Sequence, residues 1–162
     1  MKTRRFAVLT LSLLMLVLAC ASAYALNGEK VLQLKQIAVP SPNEPGSVQK
    51  MTQVIADHNI NLNGITIRND TDALFMVDDV EATSAALKEA GFAPTIEDVI
   101  AVEIPNVPGG LNTLLKVFSD AGVNIEQLYL FELNSKVYFI FNIKDLANAI
   151  SVLKEAGAEI VQ

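Results

Sequence analysis

The chain has 162 residues, of which 51% are hydrophobic and 19% charged, so it can bury a core and is not a disordered chain. Formal net charge is −6, and the first 25 residues hold three cations (Lys2, Arg4, Arg5) and no acid, which leaves the rest of the chain at −9. An acidic body argues against a nucleic-acid partner or an anionic membrane surface, since both require Lys and Arg. The single cysteine (Cys20) and single histidine (His58) allow no Cys-x-x-Cys, no disulfide framework and no zinc site.

Residues 1–25 have the pattern of a secretory signal peptide. A basic start leads into an apolar run from Phe6 to Ala19, broken only by Thr10 and Ser12. Small residues follow, consistent with cleavage after Ala23 or Ala25. The apolar run is too short for a membrane span of roughly 17–25 residues. Val17-Leu18-Ala19-Cys20 also resembles a bacterial lipobox, with lipidation at Cys20 as the alternative, although the bulky Leu18 fits that motif poorly. Either route exports the mature protein, and the expected location is the periplasm. A polar lead-in, 26–33, is expected to be a linker.

From residue 34 the body repeats. A shift of 63 carries Asn43, Pro45, Gly46, Asp57 and Asn61 onto Asn106, Pro108, Gly109, Asp120 and Asn124. A shift of 66 then carries Asp79 onto Asp145 and the stretch Leu87-Lys88-Glu89-Ala90-Gly91 onto Leu153-Lys154-Glu155-Ala156-Gly157. The second copy therefore has three extra residues, expected in its hairpin. In the first copy, 34–39 is apolar and β-branched and reads as a strand. Asn43-Glu44-Pro45-Gly46 is a turn. Residues 47–59 carry apolar side chains at helical spacing. Strands at 60–68 and 74–77 are joined through Asn69-Asp70-Thr71-Asp72. Asp79 is a helix N-cap, Gly91 stops that helix, and 92–96 is the last strand.

After Glu97-Asp98 the order repeats. A strand at 99–104 precedes Asn106-Val107-Pro108-Gly109 and a helix over 110–122. Strands at 123–131 and 137–143 are joined through Asn134-Ser135. Asp145 starts the last helix, Gly157 ends it, and 158–161 is a strand. The reading is an α+β fold: two ferredoxin-like βαββαβ units, 34–97 and 98–162, with antiparallel sheets and both helices of each unit on one face.

A strand, Asn-x-Pro-Gly, an amphipathic helix and a turn leading into Asn61 or Asn124, duplicated in a βαββαβ context, is similar to the ACT domain. The resemblance covers 34–161, and stand-alone bacterial tandem ACT proteins share this layout. It implies regulation by amino-acid binding, with the ligand between two units where the strand-to-helix loop of one meets the second strand of the other. Carried over by motif, the ligand-binding positions are Asn43, Gly46, Asn106 and Gly109 in the loops, with Asn61 and Asn124 at the second strands. Ser41 and Ile104 stand where many members have a histidine.

Physical chemistry points the same way. A Pro-Gly turn opening a helix leaves backbone amides at the positive end of the helix dipole, suited to a carboxylate. An asparagine both donates and accepts, which suits a zwitterion. The second strands are edges with unpaired backbone groups, and joining 60–68 to 123–131 is expected to form the seam between the units. Glu44 beside the first loop repels an anion that Val107 beside the second does not, so the Asn106 loop is the favoured one. Tyr129, Phe131, Tyr138, Phe139 and Phe141 read as sheet core or interface, and His58 as a surface residue at a helix end. Asp78-Asp79 are adjacent and capping, not an acid/base pair, and no enzyme activity, cofactor or metal is expected. The function read from the sequence is an exported regulatory module that binds a small amino acid or related carboxylate at the seam. The alternative is a structural module without a ligand, forming a homodimer through a sheet edge or helical face.

Overall fold

A computed structural model of the chain describes residues 26, 28–68, 71–133 and 136–161. The proposed export segment, Cys20 included, lies outside the described residues, as do Asn69, Asp70, Asn134 and Ser135 of the two hairpin turns. The elements are β1 (Lys30–Pro40), α1 (Ser47–Asp57), β2 (Leu62–Arg68), β3 (Asp72–Val77), α2 (Val80–Glu89) and β4 (Thr95–Ile104). They continue as α3 (Gly110–Asp120), β5 (Gln127–Leu133), β6 (Lys136–Asn142), α4 (Leu146–Glu155) and β7 (Glu159–Val161). Among the described residues no helix is long and apolar enough to cross a membrane.

The helices form where the local signals place them. Asp79 and Asp145 cap α2 and α4 by accepting hydrogen bonds from the Ala82 and Asn148 amides at 2.8 and 3.1 Å. Asn59, past the end of α1, is in the left-handed conformation (φ 54°), and Gly122 ends α3 the same way. Met51 and Ile55 of α1, and Leu114 and Phe118 of α3, are spaced four apart and buried against the sheet. Each unit thus has its own helix-side core, around Ile37, Phe75 and Leu87 in the first and around Ile100, Phe141 and Leu153 in the second.

Among the described residues all strands lie in one seven-stranded sheet, in the order β2-β3-β1-β4-β6-β5, with β7 added parallel to the start of β1. The α+β fold of two ferredoxin-like units is therefore present. The join between the units differs from the expected one. The second strands, β2 and β5, are not paired with each other; they stand at opposite ends of the strand order. The units are joined through β1 and β4, antiparallel from Val31 opposite Val102 to Ala38 opposite Thr95.

Both central strands are longer than their apolar runs suggest. Glu97 and Asp98, taken as the connection between repeats, lie inside β4. The lead-in expected as a linker contributes the first residues of β1 and is tied to the second unit. Val31 is fully buried in the second unit's core, and the Leu26 amide donates to the Ala156 carbonyl at 2.7 Å. The amides of Gly28 and Glu159 complete the stitch, donating to Gly157 and Glu29 at 3.2 and 2.9 Å. The start of β1 thereby takes the place beside β4 that the ferredoxin plan reserves for the last strand, and β7 lies one position further out.

Although β2 and β5 end the strand order, their Cα atoms come within 8 Å of one another. The sheet therefore curls toward closure with the helices outside, and the face away from the helices is enclosed. That enclosure explains why Gln36, Leu74, Val99, Ala101 and Ile140, all on this inner face by register, are essentially inaccessible.

Candidate functional site

The two Pro-Gly loops adopt the same conformation. The Ser47 amide donates to the Glu44 carbonyl at 3.2 Å, and Gly46, two residues after Glu44, has φ 87° and ψ −5°. The Gly110 amide donates to the Val107 carbonyl at 3.1 Å, and Gly109 has φ 89° and ψ −8°. Both are type II turns, with proline fixing the first central position and glycine supplying the positive φ of the second. Neither glycine is hemmed in: a Cβ on either meets nothing within 4 Å. The backbone thus requires these glycines, and the space over them is open to a ligand. Among the described residues no side chain caps either helix. Gly110, which sequence reasoning passed over, is constrained by packing instead, since a Cβ there sits 2.7 Å from the Pro105 carbonyl oxygen.

The six predicted ligand positions do not converge. Asn106 and Gly109 share a hollow of about 410 Å³ with Asn112, Leu115 and Phe139. Asn106 also borders a hollow of about 350 Å³ beside Lys30, Glu103 and Lys136. Asn43 lines a shallow one of about 360 Å³ with Ser41 and Thr71, to which Gly46 does not contribute. Asn61 and Asn124 line none of these. The Asn61 amide donates to Asn63 at 2.7 Å, while Asn124 borders a separate hollow with Lys144, Asp145 and Asn148. The cause is geometric. Each of these asparagines follows a helix of 11 residues from its own loop, roughly 16 Å. Bringing it beside the loop of the other unit requires the second strands to meet, and β1 and β4 meet instead.

A cavity of about 850 Å³, larger than any of these hollows, lies at that actual seam. Leu34 of β1, Met76 of β3, Val99 of β4 and the stacked rings of Phe131 and Tyr138 form much of its wall. The two rings lie with centroids 5.2 Å apart and planes 15° from parallel. Polar groups stand at its edge: Lys35, Asp98, Asn63 and Asp78. Lys35 pairs with Glu81 of α2 at 3.5 Å, and the Asn63 amide donates to the Asp78 carboxylate at 2.6 Å.

A second feature on the inner face is a closed polar network. Arg68 at the end of β2 grips Glu97 of β4 with two hydrogen bonds of 2.8 and 3.0 Å and pairs with Asp72 at 2.8 Å. The Gln36 and Asn142 amides each donate to Glu97 at 2.8 Å, and the Tyr129 hydroxyl donates to Gln36 at 2.7 Å. Burial pushes the Glu97 carboxyl up, but its hydrogen bonds from Arg68, Gln36 and Asn142 outweigh that and hold it below the usual carboxylate range. The bonds to Glu97 raise the Arg68 guanidinium against the opposing effect of burial, with Asp72 adding to the rise. Burial, and secondarily the Glu97 charge, pushes the Tyr129 phenol up. At the far end of β4, Glu103 is held down chiefly by its hydrogen bond from Lys136, at 2.8 Å.

This architecture has known counterparts. A crystal structure of a Bacteroides thetaiotaomicron protein superimposes with a TM-score of 0.69 at 34% identity, over 77% of this chain and 89% of that one. The structure of the aspartokinase alpha and beta subunits matches at 26% identity with a TM-score of 0.56, over 82% of this chain and 98% of the other. The ligand-free regulatory subunit of aspartate kinase from Thermus thermophilus, at 20% identity and a TM-score of 0.58, shares the fold over 82% of this chain and 99% of its own. None of the curated proteins matches the chain. In sequence, residues 32–161 match the family described as an ACT domain pair, and with the duplicated Asn-x-Pro-Gly turns and the paired βαββαβ units on one sheet, the chain belongs to that family.

Proposed function

We propose that the protein is an exported amino-acid-binding module, a sensor that carries out no reaction. The observation that carries this reading is the Asn106–Gly109 loop. It presents an asparagine and an open glycine turn at an uncapped helix start, and it lines a hollow of about 410 Å³. The likeness to regulatory subunits of aspartate kinase adds support for a regulatory role. Of the two loops, the one at Asn106 is the stronger candidate. Val107 replaces the Glu44 carboxylate there, and Gly109 joins the asparagine in one hollow, as Gly46 does not.

The test is a thermal-shift screen against the common amino acids. A ligand at about 100 times its Kd adds about 2.7 kcal/mol, a shift of several degrees for a protein of this size. Asn106→Ala is expected to reduce the response more than Asn43→Ala. A screen in which no amino acid moves the melting temperature rejects this reading. Export is proposed on the pattern of residues 1–25. N-terminal sequencing of protein from fractionated cells distinguishes cleavage after Ala23, cleavage after Ala25 and a blocked, lipidated Cys20.

One observation favours the alternative, a structural module. Ile65 and Ile67 of β2 and Leu130 of β5 are 44–59% exposed on strands that end the sheet order. If this edge makes a homodimer, Ile65→Lys with Ile67→Lys yields a monomer in analytical ultracentrifugation, whereas an unchanged mass removes that edge from consideration.

A further inference from the structure

The repeat shift of 63 that relates the two Pro-Gly loops also carries Lys35 onto Asp98, and these two residues face each other across the β1–β4 pairing. A pseudo-twofold axis therefore passes through the seam at this pair, and every position on one side of it has a counterpart on the other. Leu34 corresponds to Glu97, Val99 to Gln36 and Phe131 to Arg68 under the shift of 63. Tyr138 corresponds to Asp72 and Met76 to Asn142 under the shift of 66. The strand registers agree: Phe131 faces Tyr138 as Arg68 faces Asp72, and Leu34 faces Val99 as Gln36 faces Glu97.

The five residues named from the wall of the 850 Å³ cavity are thus the counterparts of five residues of the closed ionic network. The duplicated backbone makes two equivalent recesses on its inner face. In one, Arg68 reaches across to Glu97, and the network fills the space. In the other the counterparts are Phe131 and Leu34, which have no charge with which to reach across, and the recess stays open.

The open recess has the composition of a small-molecule site. It lies at an interface between units, its volume is in the usual range for such sites, its interior is apolar, and few polar groups converge on it. Lys35 and Asp98 alternate with Leu34 and Val99 and border the cavity from the other side of the β1–β4 pairing, where Lys35 is engaged by Glu81. Nearer the apolar wall, the Asn63 amide can hold a carboxylate and the Asp78 carboxylate an ammonium. A ligand with an apolar body and a zwitterionic end matches both parts at once. Glycine, serine and aspartate do not, because they leave the Leu34, Val99 and Phe131 surfaces without contact or place a further charge among them.

We propose that this seam cavity binds one α-amino acid with a large apolar side chain per chain, the side chain held among Leu34, Val99 and Phe131 and the zwitterion held at Asn63 and Asp78. It rests on the reading of the protein as an amino-acid-binding module. It places the ligand at the seam that exists, through residues that the Pro-Gly motif does not include. It also sets the stoichiometry, since the equivalent recess is occupied by the protein's own arginine and glutamate.

The test is isothermal titration of the full protein with L-leucine, L-isoleucine, L-phenylalanine, L-serine, L-aspartate and L-lysine, beside a variant that copies the filled recess into the open one, Leu34→Glu with Phe131→Arg. The expected result is one molecule per chain of a large apolar amino acid, with affinity reduced at least about tenfold in the double variant. Circular dichroism reports whether the double variant is folded. Independently of any variant, the methyl resonances of Leu34, Met76 and Val99 in the wild-type protein are expected to shift first on titration. Unchanged affinity in a folded double variant, two molecules per chain, a preference for polar amino acids, or shifts confined to the residues around Asn106 overturns the proposal while leaving the protein an amino-acid binder. Absence of binding by any amino acid overturns both.

Discussion

On either side of the Lys35–Asp98 pair, the seam presents the same backbone twice and fills it with opposite chemistry. On one side, a partly exposed arginine, two carboxylates, two amides and a phenol form a closed set of hydrogen bonds. On the other, a leucine, a valine, a methionine and two stacked rings line a cavity. A long arginine can cross a gap and hold a partner at a fixed distance, whereas an aromatic pair is satisfied by its own stacking and crosses nothing. Duplication therefore does not by itself make two sites. The residue at one equivalent position of the second strands, Arg68 or Phe131, decides whether its recess is filled from within or left open.

The largest effect is expected from breaking the filled side. Arg68→Ala leaves Glu97 partly buried without its cation. The Arg68 side chain keeps 26% of its exposure, so solvent softens the loss to about 2–3 kcal/mol, read from urea unfolding. Converting both members, Arg68→Phe with Glu97→Leu, copies the open side and is expected to restore most of that stability, because an apolar pair carries no desolvation penalty. A double variant no more stable than Arg68→Ala contradicts the equivalence of the two recesses. On the open side, Phe131→Ala removes one of the stacked rings from a half-buried position. The expected loss is about 2 kcal/mol.

The local parts of this structure were legible in the sequence and the long-range parts were not. Asp79 and Asp145, the Pro-Gly turns and the end of α1 at Asn59 depend on interactions within a few residues, and residue type is enough to place them. The seam depends on which edge strand finds which partner over some 60 residues of chain. The sign at the centre of each long strand misled the reading. Lys30, Gln33, Glu97 and Asp98 interrupt the apolar runs and resemble connections, yet they lie within strands whose inner-facing neighbours Leu32, Leu34 and Val99 continue the alternation. A usable signal was present in the repeat itself: the shift that aligns the Pro-Gly turns also aligns Lys35 with Asp98, an opposite-charge pair suited to cross-strand contact. The candidate site was half legible for a related reason. Identities between repeats led to the two loops, while the recesses differ between repeats, and differences such as Arg68 against Phe131 are visible only when the alignment is read for contrast.

Acid is expected to weaken the filled side before the open one. The folded state holds the Glu97 carboxyl below its ordinary value, so its contribution is fully present above the unfolded value near 4.5 and is lost as pH falls through the folded one. Melting temperature measured from pH 6 to pH 3 should fall most steeply below about 4.5, by less than the Arg68→Ala loss. Glu97→Gln should flatten that decline while lowering stability at neutral pH. It will not abolish the decline, because Glu103 is held down in the same direction by Lys136. A Glu97→Gln profile parallel to the wild type removes the network from the account of acid sensitivity.

The smallest expected effect concerns the hydroxyl that ties the second unit into the network of the first. Tyr129 of β5 donates to Gln36 of β1, and Gln36 is fully buried. Tyr129→Phe keeps the ring and its packing and removes only the donor. The Gln36 carbonyl oxygen is then left in an enclosed space without that partner, a penalty of about 1 kcal/mol. Thr66 is the counterpart of Tyr129 in the first unit, where the counterpart of Gln36 is the apolar Val99 of the cavity wall. Thr66→Val, removing a hydroxyl at that equivalent position, should therefore change stability less than Tyr129→Phe does. Comparing the two in parallel urea titrations isolates what the filled recess requires of its polar groups. Equal losses would mean that the two sides do not differ in their demand for hydrogen bonds, and the division of the seam into a filled and an open half would have to rest on shape alone.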